Sequence, residues 1–351
     1  MELRRGDRGW FDAVNAGLRD LGVSVSEASS KLARVLAGGN GVPPSAGQKE
    51  PKLKPPSPKS PAGDVVLDYV KQQVEQILSN DPQVRLDAPG SVHQMRVATR
   101  RLRSALQTFR PVLRAEDVTP LRSELKWLAA ELGAVRDAEV LRDRMTAALH
   151  HEDQKVHLGP LGDTMDAELS EAYRAAHDEL LKVLDTERYH QVVLDLDRLA
   201  NAPALSRKAA RPAAEVLPQR AARAYARLEG LVNDVHKAPT MAERDVQLHE
   251  ARKAAKKARY AGETMTEFFG KAADRFAKAM ENLQEELGEH QDSFVMRARL
   301  EELARQETAP AAAFAYGRLH AQEEQRGQLA VDRFETVWRK ATKKSLRSWM
   351  N

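Results

Sequence analysis

The clearest pattern in the chain is a segment whose apolar and basic positions separate onto opposite sides of a helix. The segment Ser91–Arg110 carries five arginines and no acidic residue. At 100° per residue, four of its basic positions fall within a stripe of about 80°, on the side away from the apolar positions. These four positions are His93, Arg96, Arg100 and Arg103. The pattern therefore predicts an amphipathic helix with one face that packs and one face that holds an anion.

The same periodicity continues along most of the chain. Apolar residues at intervals of three and four predict further helices over about 64–79, 119–149, 163–184, 186–200, 218–235, 244–269, 272–306 and 310–347. Arginine, alanine, leucine and glutamate dominate the composition, and aromatic residues make up only 5%. These are strong helix formers, so the sequence predicts an all-α protein.

Composition also divides the chain. Seven of the 17 prolines lie in 38–63, a lysine-containing segment that we expect to be an extended linker. Before it, 1–37 reads as a short helical piece that is too small to bury a core of its own. After it, we expect a first helical half over 64–205 and a second over 206–347.

The second half repeats the basic stripe of the first. Aligning His249 with His93 needs no gap and matches four further basic positions, which are Arg252 with Arg96, Lys256 with Arg100, Lys257 with Arg101, and Arg259 with Arg103. Further along, Glu131–Asp137 matches Glu286–Asp292 with a shift of one residue. Two copies of one unit predict a pseudo-twofold arrangement in which the two stripes face each other across a central groove.

These segments resemble a known family. VHQMRVATRRLRSAL and LKWLAAELGAVRDAEVL are similar to the first half of the CHAD family, the conserved-histidine α-helical domains, and LHEARKAAKKARYAGE and LQEELGEHQD to its second half. The resemblance implies two pseudo-symmetric antiparallel bundles, of the four-helix type, around a central basic groove. It also implies binding of inorganic polyphosphate and association with polyphosphate granules.

The resemblance further implies a set of ligand contacts. Carried over position by position, the polyphosphate-binding residues are His93, Arg96, Arg100, Arg101, Arg103, Lys126, Arg136, His249, Arg252, Lys256, Lys257 and Arg259. The second copy departs from this pattern, because Glu281 lies near the place of Lys126 and Gln291 at the place of Arg136. These departures argue against a perfectly symmetric site.

The N-terminal piece has a resemblance of its own. Residues 1–37 are similar to the last segment of CYTH domains, the triphosphate tunnel enzymes that often precede CHAD domains. Such an enzyme needs a glutamate-rich E-x-E-x-K motif, and Glu2-Leu3-Arg4 is not that motif. We therefore expect either a truncated start or a remnant, with no catalysis. A CYTH domain or an enzyme of polyphosphate metabolism is an expected partner.

Other chemistry finds little support in the sequence. The chain has no cysteine, which excludes disulfides and thiolate metal sites, and no nucleophile–base arrangement stands out. We expect no catalytic residue, no metal and no cofactor. No apolar run has the length of a membrane span, so we expect a cytoplasmic protein without membrane contact. The aromatic residues do not interleave with the basic stripes, which makes a nucleic acid an unexpected main ligand.

Two alternatives to a polyphosphate-binding module stay open on the sequence. One is a general polyanion or nucleic-acid binder that uses the same groove, and the other is an accessory domain of a CYTH triphosphatase. His93 and His249 each lie one turn before an arginine, where an anion contact is favoured over a metal, and we expect stronger binding below about pH 6.5.

Two smaller signals recur in both halves. We expect Asp137 and Asp292 either to orient a basic side chain of the site or to cap packing between helices, with a slight preference for the first role. Gly133 and Gly288 lie inside predicted helices, where glycine costs about 1 kcal/mol relative to alanine, and close helix crossing is the simplest explanation for them.

Overall fold

The computed structural model describes residues 59–153, 161–307 and 309–350. Within these ranges no β-strand is formed, and the predicted all-α class is confirmed. The described helices of 15 residues or more are α1 (Ala62–Arg85), α2 (Ser91–Thr108), α3 (Ala115–Asp153), α4 (Leu161–Leu184), α5 (Glu187–Asn201), α6 (Pro218–Lys237), α7 (Met241–Phe269), α8 (Lys271–Gln306) and α9 (Pro310–Ala341).

The connection between α1 and α2 differs from the prediction. The helix α1 does not end near Ser79 but continues through Pro82, because the Asp81 carboxylate accepts hydrogen bonds from Arg85 Nε (2.6 Å) and from the hydroxyl of Tyr189 on α5 (2.5 Å). The residue that precedes α2 is Gly90, with φ of 74°. Glycine adopts this left-handed conformation without steric cost, which allows the tight reversal.

Consecutive helices pack as neighbours in both halves. In the first half α1 packs on α2, α2 on α3 and α3 on α4, and α5 returns to contact α1 and α3. In the second half α6 packs on α7, α7 on α8 and α8 on α9. The two halves meet where α2 contacts α7, with a further contact between α3 and α9. The two helices with basic stripes therefore lie side by side at the centre.

Apolar faces explain why α2 and α7 occupy the centre. The apolar side of α2 is fully buried, including Met95, Leu102 and Phe109. The corresponding side of α7 is rich in alanine and comes close to α8, since a Cβ atom added at Gly262 would lie 2.8 Å from the ring of Phe276. With both apolar sides buried, the basic sides are left to face the space around the α2–α7 pair.

All the described residues belong to one compact unit, 55–351, which contains both predicted halves. The predicted boundary at 205–206 falls in the connection between α5 and α6. The predicted N-terminal piece, 1–37, lies outside the described residues, and so does the linker as far as residue 58.

Candidate anion-binding site

The centres of the two basic stripes lie together where α2 meets α7. Lys256 of α7 is half-buried beside Arg100 and Arg96 of α2 and Arg252 of its own helix. Burial and then these three cations lower the pKa of Lys256 to about 6, against a smaller opposing effect of Asp292. The neutral form of Lys256 is therefore favoured at pH 7.

A cleft of about 440 Å³ lies beside this point, between α2, α3, α6 and α7. The basic side chains that line it are Arg100, Arg103, Arg122, Lys126, Arg227, Lys253, Lys256 and Lys257. Glu250 is the one acidic residue in the lining, and it is already paired with Lys253 at 2.6 Å. The cleft thus concentrates eight potential positive charges against one negative charge.

The cations of the cleft perturb one another. Burial, followed by the charges of Arg100 and Arg122, lowers the pKa of Arg103. Burial, followed by Arg103 and Arg227, likewise lowers the pKa of Lys257. Within the described part of the chain, Arg103 forms no ion pair with a carboxylate. A polyanion in the cleft would offset the repulsion between these cations, and this would contribute favourably to the free energy of binding.

Arg96 is held by a glycine and an aspartate on the neighbouring helix. Its guanidinium lies across Gly133 of α3, where an added Cβ would be 3.5 Å from Arg96 Nε, and its Nη2 is 3.6 Å from Asp137 Oδ1. The second copy repeats both contacts at 3.6 Å with Arg252, Gly288 and Asp292. The predicted orienting role of the aspartates agrees with this geometry. Close helix crossing does not explain the glycines, however, because an added Cβ would meet only the arginine side chain, at an ordinary contact distance.

The N-terminal ends of the stripes lie outside the lining of the cleft. His93 is next to Arg136, which pairs with Glu139 at 2.7 Å. Burial and then Arg136 lower the pKa of His93, so its protonation is shifted to more acidic pH than predicted. In the second copy His249 Nδ1–H donates to Gln291 Oε1 at 2.6 Å.

Two predicted site residues turn away from the cleft. Arg101 Nε lies 3.0 Å from Glu263 Oε2, and Arg259 Nε lies 2.7 Å from Glu263 Oε1. Arg259 Nη2 is also 2.8 Å from Glu281 Oε1. We call Arg101, Arg259, Glu263 and Glu281 the Glu263 cluster. The charges of Arg101 and Arg259 are thus already balanced within the protein, and their role as phosphate contacts stays a prediction.

The cleft also contains residues that the sequence reasoning missed. Arg122 lies on α3, one helical turn before the predicted Lys126, and this spacing was a usable signal. Arg227 lies on α6 and lines the same cleft. Ser104 lies in the lining, and its buried hydroxyl has no hydrogen-bond partner among the described residues.

Residues 68–301 match the CHAD domain family. The chain belongs to the CHAD family. Two uncharacterised proteins of Mycobacterium tuberculosis, from strains CDC 1551 and H37Rv, are each 32% identical to it over 337 residues. The match covers 95% of this chain and 62% of each relative, so the chain spans less than two thirds of their length.

Solved structures agree on the CHAD fold. The CHAD domain of the plant Ricinus communis is 26% identical, with a TM-score of 0.59, and the match covers 81% of this chain and 93% of that one. PptA from Streptomyces chartreusis is 23% identical, with a TM-score of 0.67, and the match covers 80% and 100% respectively. The likeness to PptA supports the fold alone.

Membrane spans and metal clusters are both missing from the described residues. None of their helices combines the length and the hydrophobicity that crossing a bilayer requires. In the same part of the chain, no group of three or more His, Asp or Glu side chains is arranged to hold a metal ion.

Proposed function

We propose that this CHAD domain binds inorganic polyphosphate in the cleft between α2, α3, α6 and α7, without catalysing a reaction. The observation that carries the proposal is the convergence of eight basic side chains on a cleft with a single, already paired carboxylate. The family membership supports it, because the sequence motifs of this family imply that ligand.

The chemistry of the lining suits a chain of phosphates. Side chains three or four positions apart on a helix step by about 4.5–6 Å, comparable with the repeat of an extended phosphate chain. Arg100, Arg103 and Arg122 offer forked donors to phosphate oxygens, and the lysines offer point charges. Release of counterions from the polyanion would add a favourable term that weakens as salt rises.

The absence of catalysis is part of the proposal. The carboxylate of the described lining, Glu250, accepts from Lys253 Nζ and is not free to act as a base. We further propose that binding brings the protein to polyphosphate granules. A CYTH domain or an enzyme that makes or degrades polyphosphate is the proposed partner.

Calorimetric titration with polyphosphates of several lengths tests the proposal. The test variant is Arg100→Glu/Arg103→Glu/Lys256→Glu, for which we expect an affinity loss of at least about 100-fold, because charge-assisted hydrogen bonds contribute about 1.5–3 kcal/mol each. The matched control reverses three cations that lie in surface ion pairs on α4, α5 and α8, namely Lys182→Glu/Arg198→Glu/Arg305→Glu.

The two triple variants distinguish a specific cleft from a general charge effect. Equal losses in both would show that overall charge alone drives binding and would contradict the cleft assignment. Displacement of long-chain polyphosphate by excess duplex DNA or RNA at physiological salt would favour the general polyanion binder instead.

A further inference from the structure

The internal sequence repeat matches positions of the cleft with positions of the Glu263 cluster, and the charges at the matched positions differ. The alignment that matches His93 with His249 also matches Gln107, in the lining of the cleft, with Glu263. The alignment that matches Gly133 with Gly288 also matches Lys126 of the cleft with Glu281. An acid therefore occupies each of two positions whose counterparts in the cleft are a neutral amide and a cation.

Both acids contact arginines whose counterparts line the cleft. Arg259 matches Arg103, and it is paired with both Glu263 and Glu281. Arg101 matches Lys257, and it is paired with Glu263 across the interface between α2 and α7. Glu263 therefore balances one arginine from each half of the repeat.

The Glu263 cluster and the cleft share one aromatic side chain. The guanidinium carbons of Arg101 and Arg259 are each 5.9 Å from the centroid of the Tyr260 ring, and Tyr260 is part of the lining. The Glu263 cluster therefore lies close to the cleft. What distinguishes them is the presence of the two carboxylates.

We infer that Glu263 and Glu281 determine where polyphosphate binds, by closing a second phosphate-binding position equivalent to the cleft. This inference rests on the proposed function. Arg101 and Arg259 carry guanidinium groups that could bind phosphate. Carboxylates of the protein, however, already occupy the positions that phosphate oxygens would take. Polyphosphate is therefore confined to one side of the α2–α7 pair.

The test replaces both glutamates by neutral amides and uses the salt dependence of affinity to count the ionic contacts between protein and polyphosphate. The variant Glu263→Gln/Glu281→Gln keeps the side-chain shapes and releases Arg101 and Arg259. Each contact contributes about 0.7–0.9 to the slope of log affinity against log salt concentration. We expect the slope of the variant to be steeper by one to two contacts, and its affinity for long-chain polyphosphate at low salt to rise at least tenfold.

A matched control is available on α8. Glu286 is exposed to a similar degree (21%, against 20% for Glu263 and 23% for Glu281), and it is paired with Arg333 at 2.8 Å. The variant Glu286→Gln makes the same chemical change away from both groups. Its affinity and salt slope should equal those of the wild type.

The reciprocal change tests the same idea from within the cleft. Gln107→Glu places a carboxylate four residues after Arg103, the spacing at which Glu263 pairs with Arg259. We expect it to close the cleft and lower the affinity at least tenfold. Because Gln107 is exposed, this variant still tests the inference if the double variant fails to fold, which thermal unfolding would reveal.

The failures can be told apart. A wild-type protein that binds polyphosphate, with unchanged affinity and salt slope in both the double variant and Gln107→Glu, would overturn the inference and leave the proposed function standing. If the wild type does not bind polyphosphate at all, the proposed function fails, and the inference fails with it.

Discussion

The protein contains two clusters of cations that differ in what balances them, namely the cleft and the Arg144 cluster, which consists of Arg144, Arg326, Glu289 and Glu323. In the cleft, Arg103 is surrounded by other cations, and its pKa is lowered by burial, Arg100 and Arg122. Near the α3–α8–α9 contact, burial also acts on Arg144, but hydrogen bonds to Glu323 and Glu289 outweigh it and raise the pKa of Arg144. The charged form of arginine is thus stabilised at Arg144 and destabilised at Arg103.

The geometry of the Arg144 cluster accounts for the difference. Arg144 Nη2 lies 2.6 Å from Glu323 Oε2 and 3.0 Å from Glu289 Oε1, and Arg326 adds a contact of 2.7 Å to Glu323. These bonds join α3 of the first half to α8 and α9 of the second. The arginines of this cluster have internal partners, whereas Arg103 in the cleft has no carboxylate partner among the described residues.

The largest expected effect is on the paired cluster. Arg144→Ala should lower the free energy of unfolding by about 2–3 kcal/mol, because it removes the closest cation of the buried Glu323, which then keeps only Arg326. Urea unfolding measures this. Arg103→Ala is the control, and we expect it to cost less than about 1 kcal/mol because it removes a repelled charge. Similar costs for the two variants would remove the distinction between the clusters.

The next effect concerns a charge that opposes folding. The pKa of Lys256 falls from 10.5 in the unfolded chain to about 6 in the folded protein, so the unfolded state binds more protons between these values. The resulting penalty is complete below about pH 6 and disappears above pH 10.5. Lys256→Met should therefore raise the free energy of unfolding at pH 7, by about 1–2 kcal/mol after allowing for water in the cleft.

Thermal unfolding of Lys256→Met and wild type across this pH range measures the effect. The stability gain of the variant should be greatest near pH 6 and should shrink as the pH rises towards 10. A gain that does not depend on pH would indicate better packing by methionine and not relief of a charge penalty.

Binding itself should move a proton. Because Lys256 is largely neutral in the free protein at pH 7.5 and a polyanion would favour its charged form, binding should take up close to one proton. The affinity should then fall by up to about tenfold per pH unit above pH 6. Calorimetry in two buffers of different ionisation enthalpy counts the protons. Lys256→Arg should abolish the uptake, and an unchanged uptake in that variant would assign the proton to another group.

The smallest effect tests the space beneath Arg96. A Cβ at Gly133 would meet Arg96 at an ordinary contact distance of 3.5 Å, so Gly133→Ala should preserve binding within about twofold and stabilise α3 by up to about 1 kcal/mol. At Gly262 the added Cβ would lie 2.8 Å from Phe276, and alanine there should destabilise the protein. Chemical denaturation and titration of both variants provide the check. Strong loss of binding in Gly133→Ala would mean that Arg96 needs more room than the distances indicate.

Much of the fold could be predicted, because apolar periodicity is a local property. The observed α6 begins at Pro218, α7 ends at Phe269 and α8 ends at Gln306, as predicted. The prediction failed where a distant residue decides the outcome. The last turn of α1 is held by Tyr189, more than 100 positions away, and no local pattern reveals that contact.

The candidate site was predictable to the same extent. The stripe positions Arg100, Arg103 and Lys256 do lie on the cleft, because their direction follows from the helical repeat. Their role as ligand contacts stays a prediction. Arg101 and Arg259 belong to the same two helices, and the sequence predicts them as members of the same site. In the structure, carboxylates of α7 and α8 balance the charges of these two arginines.

The sequence by itself therefore determined which side of each helix is basic and that this side occurs twice. The tertiary structure decided which of those cations remain without an internal partner. The physical reason is that the direction of a side chain on a helix follows from a repeat of 3.6 residues, whereas an ion pair between helices needs two atoms within a few ångströms. That distance depends on how α2, α3, α7 and α8 rotate and slide against one another, and only the packed core sets it.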